Sequence, residues 1–147
     1  AVPGDLDELW TQRYRSIVEH ERHLARNGTV VLKFWLNVSR GEQKRRFLRR
    51  LDVPEKNWKF NAGDVAERNH WPAYMAAYED ALRHTSKPWA PWFAIPADDK
   101  PFMRLTVARI VVETLESMGL RYPEVGDAER ARFDEMRRLL ENEETAG

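Results

Sequence analysis

Residues 32–98 read LKFWLNVSRGEQKRRFLRRLDVPEKNWKFNAGDVAERNHWPAYMAAYEDALRHTSKPWAPWFAIPAD, and the order of patterns in this stretch decides the fold. A hydrophobic strand comes first, followed by a strongly basic helix and a Lys-Asn-Trp-Lys turn. A helix with a stripe of aromatic residues then leads into a second short strand that ends in Pro-Ala-Asp. Strands that alternate with helices are typical of α/β proteins, whose parallel strands are joined by right-handed crossovers. The stretch therefore predicts an α/β fold with a short parallel sheet.

The sequence on either side extends this order. Apolar residues at helical spacing predict a first helix, which Gly28 ends because glycine accepts the left-handed cap conformation. Ser39 is expected to cap the basic helix, with Glu42 three residues on, and Asp98 is expected to cap a later helix. Helices are thus predicted over residues 5–26, 39–53, 64–70, 72–84, 100–118 and 127–142, and strands over residues 29–38 and 92–96.

Two strands make an incomplete sheet. A parallel sheet is normally covered on both faces and contains several strands, so a single pair leaves both edges open. Either the helices wrap a minimal sheet in a small α/β domain, or the missing strands lie on another polypeptide segment. An exposed apolar strand such as residues 30–36 is an adhesive edge, which predicts a homo-oligomer or association with a related partner.

Composition limits the class of protein. The chain has 147 residues, 42% hydrophobic and 33% charged, which predicts one globular domain over residues 1–147 with a C-terminal helix and acidic tail over 127–147. It has no cysteine, which excludes disulfides and thiolate metal sites and is typical of a reducing cytoplasm. No apolar run reaches the roughly 18 residues that span a bilayer, and residues 1–10 lack the pattern of a signal peptide. These features predict a cytoplasmic protein without a membrane partner.

The helix after Ser39 concentrates positive charge. One acid, Glu42, stands among six cations, which are Arg40, Lys44, Arg45, Arg46, Arg49 and Arg50. At helical spacing Arg45 and Arg49 share one side, as do Arg46 and Arg50, and Lys56, Lys59 and Arg68 follow within reach of the same surface. Guanidinium groups match phosphate oxygens bidentately. The helix is therefore either a polyanion-binding surface or a solvated basic face paired with nearby acids.

Aromatic and histidine residues add one further candidate. Trp58 stands between Lys56 and Lys59, so it could stack a nucleobase or pack in the core. Core packing is the interpretation for Trp71, Trp89 and Trp92, which adjoin apolar positions. The four histidines show no metal-ligand spacing, and no Ser/His/Asp constellation is present. No catalytic or metal-binding residue is predicted.

A series of short motifs occurs in order over about residues 10–124. They are Gly28-Thr29, Ser39, Glu42-Gln43, Pro54 with Lys56, Trp58-Lys59-Phe60, Asp64, Glu67-Arg68, Trp71, Tyr74-Met75, Ala77-Tyr78-Glu79-Asp80, Thr85-Ser86, Ala90-Pro91-Trp92, Ile95-Pro96-Ala97-Asp98, Lys100 and Arg104. As a set they resemble the C-terminal half of the polyphosphate kinase 2 family. Members of that family are P-loop enzymes that move phosphoryl groups between inorganic polyphosphate and nucleotides.

The resemblance implies a role for the basic helix. It implies part of a P-loop-kinase-like three-layer fold, with two recognisable strands and about six helices, in which this helix and the Trp-Lys turn form a lid over polyphosphate. The residues expected to bind polyphosphate are then Arg45, Arg46, Arg49, Arg50, Lys56 and Lys59. Mg²⁺ is expected to bind the complete family enzyme. No cofactor is expected to bind this chain alone. A nucleotide is expected to bind only with a complementary N-terminal half.

The sequence also departs from the family. The Gly-rich phosphate loop and the Asp-Arg motif that hold nucleotide phosphates and metal have no counterpart in these 147 residues. Asn37 stands where the family pattern has His, and Gly41, Pro72 and Pro101 also differ. Three functions follow: part of a polyphosphate:nucleotide phosphotransferase that is incomplete or inactive alone, a non-catalytic module that binds polyphosphate or forms oligomers, or a nucleic-acid-binding domain. Balanced charge, 24 basic against 24 acidic residues, and the lack of a nucleic-acid motif disfavour the last.

Overall fold

The computed structural model describes residues 5–143 and confirms the α/β class. In chain order the elements are α1 (Leu6–Arg26), β1 (Lys33–Asn37), α2 (Arg40–Asp52), a 3-10 helix (Pro54–Lys59), α3 (Ala62–Glu67), a 3-10 turn (Arg68–His70), α4 (Trp71–Thr85), β2 (Trp92–Pro96), α5 (Lys100–Ser117), α6 (Asp127–Arg130) and α7 (Phe133–Glu143). Internal contacts divide the chain into two compact units, Ala1–Ile110 and Val111–Gly147. The single domain expected from length stays a prediction. No helix within residues 5–143 combines the length and apolar content that crossing a bilayer requires.

The sheet consists of β1 and β2, paired in parallel as predicted. Lys33 pairs with Trp92 at one end and Asn37 with Pro96 at the other. The rings of Phe34 and Phe93 stack at 5.5 Å on neighbouring strands. β1 spans residues 33–37 and is shorter than the predicted 29–38. A strand extends only as far as its partner is paired with it, and the partner strand β2 spans only residues 92–96. The pair buries little: among the described residues no large side chain is fully buried.

Local capping signals place the helix that leads away from β1. The Ser39 hydroxyl accepts a hydrogen bond from the Glu42 amide at 3.1 Å, which confirms the predicted cap of α2. The predicted cap of α5 is wrong. Asp98 instead accepts from the Ser39 amide at 2.7 Å, and the neighbouring Asp99 accepts from the Phe102 amide at 3.0 Å. Asp98 therefore ties the start of α2 to the end of β2.

The C-terminal unit corrects a second prediction. The helix expected over residues 127–142 is two helices, α6 and α7, because Arg132 donates to the carbonyl of Glu129 only three residues back and interrupts the helical ladder. Residues 5–143 hold seven α-helices, of which α6 is a single turn, and the prediction of about six helices is confirmed. Residues 144–147 of the predicted acidic tail lie outside the described part of the chain.

A buried ion pair joins four elements of the N-terminal unit. The Lys33 ammonium on β1 donates to both carboxylate oxygens of Glu21 on α1, at 2.8 and 2.7 Å, and to the carbonyl of Thr85 on α4 at 2.8 Å. It also lies 5.3 Å from the Trp92 ring centroid, and the Trp92 indole donates to the Thr85 hydroxyl at 2.8 Å. These contacts hold α1 and α4 against the amino ends of β1 and β2.

Candidate functional site

The candidate site lies where both strands end. β1 ends at Asn37 and β2 at the adjacent Pro96, so their carboxyl ends share one edge of the sheet. Ligands of open α/β sheets bind in the crevice at this edge. The basic helix α2 begins three residues after β1 ends. Its cations are therefore placed beside the position where the fold binds ligands.

Arg46 anchors α2 to that edge. Its guanidinium donates to the Glu42 carboxylate at 2.7 Å, to the carbonyl of Ala97 at 2.7 Å and to the carbonyl of Asp98 at 3.3 Å. The side chain is partly buried by these contacts. Most of the N–H groups of Arg46 are thus hydrogen-bonded within the protein. These hydrogen bonds fix α2 to the residues that follow β2.

Two carboxylates at the anchor are held in their charged form. The hydrogen bond from Arg46, with the nearby charge of Arg45, lowers the pKa of Glu42 against the opposing effect of desolvation. The hydrogen bonds from Ser39 lower the pKa of Asp98 in the same way. Both groups therefore offset part of the positive charge of α2. The net positive charge around α2 is therefore smaller in the folded chain than the sequence of the helix alone suggests.

A cavity of about 540 Å³ opens beside one side of α2. This side, the inner face of α2, carries Gln43, Arg46, Phe47 and Arg50. Its lining combines three arginines, two carboxylates, two amides and several aromatic rings. The lining residues are Leu36, Asn37, Val38, Gln43, Arg46, Phe47, Arg50, Asp64, Glu67, Arg68, Trp71, Tyr74, Met75 and Tyr78. Of the six cations predicted to bind polyphosphate, Arg46 and Arg50 line this cavity.

Two arginines in the cavity share one ring. Arg50 and Arg68 lie over Phe47, at 5.1 and 5.9 Å from its centroid. Arg50 approaches Asp64 at 3.8 Å, whereas Arg68 hydrogen-bonds the Gln43 side chain and the carbonyl of Arg40. The site residues predicted from sequence omitted Arg68. The sequence had placed Arg68, part of a short Glu-Arg motif, within reach of the basic surface, but not among the residues expected to bind polyphosphate.

Tyrosines and acids complete the cavity. The Tyr74 hydroxyl donates to the Glu67 carboxylate at 2.6 Å, and this hydrogen bond raises the pKa of Tyr74. The Tyr78 ring packs against Trp35 of β1, with centroids 5.7 Å apart. Sequence reasoning took the acids Asp64 and Glu67 only as part of a motif.

The remaining four predicted cations do not line the cavity. Arg45 pairs with Glu42, yet its side chain is 74% exposed, and Arg49 is exposed as well. Lys59 is exposed and lies 4.8 Å from the Trp58 ring centroid, whereas Lys56 is partly buried. The structure thus separates the predicted set into an inner group that lines the cavity, Arg46 and Arg50, and an outer, exposed group, Arg45, Arg49 and Lys59, whereas Lys56 is partly buried outside the cavity.

Trp58 is not a core residue. Its side chain is 79% exposed, and it stands in the 3-10 helix Pro54–Lys59. By contrast Trp71, Trp89 and Trp92 are partly buried, as core packing requires. Of the two interpretations of Trp58, the packed one is wrong, and stacking on a ligand stays a prediction.

The described residues do not form a metal site by themselves. Within residues 5–143 no group of three or more His, Asp or Glu side chains is arranged to hold an ion. The Mg²⁺ that a phosphotransferase uses bridges phosphate oxygens and takes only one or two protein carboxylates.

Comparisons with known proteins give one consistent result. Residues 5–123 match the model of the family described as polyphosphate kinase 2. The chain is 50% identical to an ADP-polyphosphate phosphotransferase of Rhodopseudomonas palustris over 90% of its own length and 46% of that protein. It is 51% identical to a Leptolyngbya boryana protein named only by its position in the chlN 3' region, over 92% of this chain and all of that one. The crystal structure of polyphosphate kinase 2 from Arthrobacter aurescens TC1 superposes with a TM-score of 0.80 at 40% identity, covering 90% of this chain and 47% of that one.

Proposed function

Because this chain belongs to the polyphosphate kinase 2 family, we propose that it serves phosphoryl transfer between inorganic polyphosphate and nucleotides. The names of two relatives support this reaction class: the Rhodopseudomonas palustris protein is an ADP-polyphosphate phosphotransferase, and a Meiothermus ruber protein, 48% identical to this chain over 80% of its length, is an AMP/ADP-polyphosphate phosphotransferase. The chain spans about half the length of each of these relatives. We therefore assign to it one part of the task, the binding and charge neutralisation of polyphosphate, in the cytoplasm.

The outer cations carry this assignment. Arg45 and Arg49 on α2 and Lys59 on the following 3-10 helix are exposed, and the partly buried Lys56 lies between them in the chain. Polyphosphate is a linear row of anionic oxygens, which suits several separate cations on one surface. Each exposed ionic contact contributes about 1 kcal/mol or less, so affinity must come from many contacts. Binding to a linear polyanion releases counterions and therefore weakens steeply as salt is added.

The test is polyphosphate binding by a charge-reduced variant. Arg45→Gln with Arg49→Gln removes two outer cations and keeps the anchor at Arg46. Two lost contacts of up to about 1 kcal/mol each should weaken binding by up to about thirtyfold. The matched control is Arg137→Gln with Arg138→Gln, which removes the same charge from exposed positions of α7 and should leave affinity unchanged. Equal losses in both variants, or no loss in either, would place the site elsewhere.

The same titration separates the competing functions. Single-stranded RNA is also a linear polyanion, so equal affinity for RNA and polyphosphate would favour the nucleic-acid interpretation instead.

Turnover is the second measurement. We expect no nucleotide phosphorylation from the 147-residue chain with polyphosphate and Mg²⁺, because the sequence contains no phosphate-cradling loop. Clear turnover by the purified chain would contradict that expectation, and polyphosphate binding without turnover fits both an incomplete enzyme and a non-catalytic binding module.

A further inference from the structure

We propose that Asp64 on α3 competes with polyphosphate for Arg50, because it holds the guanidinium of Arg50 in an ion pair that a phosphate group can replace. This role rests on the proposed function and deepens it. Polyphosphate bound to the outer cations gains Arg50 as a further partner only when the pair with Asp64 opens. An acid thereby limits the affinity of the basic surface.

Arg50 and Arg46 lie one turn apart on the inner face of α2, but the protein holds them differently. Arg46 donates at 2.7 Å to the Glu42 carboxylate and at 2.7 Å to a main-chain carbonyl. Arg50 approaches the Asp64 carboxylate at 3.8 Å and the carbonyl of Lys59 at 3.5 Å. Both distances exceed the roughly 2.7–3.2 Å of a good N–H···O hydrogen bond. Arg50 is therefore the inner arginine that a ligand can take without breaking a strong contact.

The ion pair of Arg50 with Asp64 is open to solvent. The two side chains are 33% and 46% exposed, and exposed ion pairs are weak and screened by salt. A phosphate can accept two parallel hydrogen bonds from a guanidinium plane, which the carboxylate at 3.8 Å does not. The Phe47 ring, whose centroid lies 5.1 Å from the guanidinium, supports Arg50 from the same helix. Exchange of the carboxylate for a phosphate is therefore favourable once polyphosphate is near.

Arg50 stands where the cavity meets the exposed cations. Its side chain lines the cavity, and its contact with the Lys59 carbonyl joins it to the 3-10 helix that presents Lys59. Its neighbour in the chain, Arg49, is exposed on α2. A linear polyanion that binds Arg49 and Lys59 is therefore expected to meet Arg50 as the next cation.

The other carboxylates on this side of α2 are more firmly bound than Asp64. Glu42 accepts a hydrogen bond from Arg46 at 2.7 Å, and Glu67 accepts one from the Tyr74 hydroxyl at 2.6 Å. Asp64, by contrast, meets its cation at 3.8 Å. Asp64 is therefore the acid whose neutralisation should release an arginine to the ligand.

The experiment measures the affinity of the 147-residue chain for polyphosphate by calorimetry at several salt concentrations. Asp64→Asn frees Arg50 and should raise the affinity about two- to fivefold. The salt dependence should become steeper, because one more cation contacts the polyanion. The control Asp134→Asn removes the same charge from an exposed position of α7 and should leave affinity and salt dependence unchanged. A gain in affinity also cannot come from a damaged fold.

Arg50→Gln tests whether Asp64 acts through Arg50. In that background Asp64→Asn should lose most of its gain, since no arginine is left to release. A gain of equal size in both backgrounds would mean that Asp64 acts by its charge alone. An unchanged or lower affinity of Asp64→Asn would mean that it does not compete. Either result overturns this role of Asp64.

Nuclear magnetic resonance of the arginine side chains gives a direct second measurement. Addition of polyphosphate should shift the Nε–Hε signal of Arg50 and leave that of Arg46 in place, and a fixed Arg50 signal would contradict the exchange. Binding that falls in Arg45→Gln with Arg49→Gln but does not rise in Asp64→Asn rejects the role of Asp64 and leaves the proposed function standing. Failure of the unmodified chain to bind polyphosphate rejects the proposed function itself.

Discussion

Lys33→Met will break the buried ion pair at the amino ends of the strands. The ammonium of Lys33 makes three hydrogen bonds of 2.7–2.8 Å to Glu21 and Thr85, and the two charged side chains are only 12% and 10% exposed. Methionine retains most of the apolar stem, so loss of packing is small. The main effect is a Glu21 carboxylate that stays buried without a partner.

The size of this effect follows from its burial. Removing one partner of a buried pair costs about 3–5 kcal/mol, because the remaining charge is uncompensated. For a chain of this length each kcal/mol lowers the melting temperature by about 2–4 °C, which predicts a fall of roughly 6–20 °C. Glu21→Leu combined with Lys33→Met removes both charges, and it should recover most of the lost stability.

Guanidinium unfolding followed by circular dichroism measures these changes. The control is Arg83→Met, which breaks the ion pair with Glu79 on the surface of α4, where the side chains are 74% and 62% exposed. An exposed pair of this kind contributes about 1 kcal/mol or less. If Lys33→Met costs no more than Arg83→Met, or if the double variant is no more stable than the single one, an uncompensated Glu21 charge is not the cause of the destabilisation.

Three further predictions concern the backbone and the anchor of α2. Ser39→Ala should cost about 1 kcal/mol of unfolding free energy, since it removes the hydroxyl that accepts from the Glu42 amide; a cost near zero in urea unfolding would show that the cap is dispensable. Gly28→Ala should cost about 1–2 kcal/mol because Gly28 has φ of +85°, whereas Gly41→Ala, inside α2 and without a positive φ, should not be destabilising by thermal unfolding. The lowered pKa values of Glu42 and Asp98 mean that their stabilising effect is complete above the pKa of the unfolded carboxyls and is lost as pH falls through the lower folded values. Denaturant midpoints should therefore fall as the pH falls below about 4, and Glu42→Gln should show a smaller fall.

Local patterns in the sequence predict the parts of the fold that depend on near neighbours. The bounds of β2, residues 92–96, and the Ser39 cap are confirmed because apolar runs and capping residues act within a few positions. The length of β1 was wrong because it depends on where its partner begins, 59 positions along the chain. Asp98 was assigned to the nearer helix end for the same reason: its actual partner, Ser39, is equally distant in sequence.

The candidate site follows the same rule. Helical spacing predicts that Arg45 and Arg49 share one side of α2 and that Arg46 and Arg50 share another, but it does not say which side meets the sheet. Only the contacts of Arg46 with Ala97 and Asp98 decide that. The cavity is also beyond a local pattern, because β1, α2, α3 and α4 each supply part of its lining.

The two sides of α2 explain why charge counting overstates a binding surface. An arginine that bonds carbonyls at the end of a strand stabilises the helix position, and it cannot be given to a ligand without losing that anchor. Arg46 is in this state, whereas Arg45 and Arg49 project into solvent. The inner arginine therefore sets the orientation in which the outer ones are presented. A basic helix with one anchored side and one exposed side can present a fixed row of cations to polyphosphate, which a uniformly solvated helix could not.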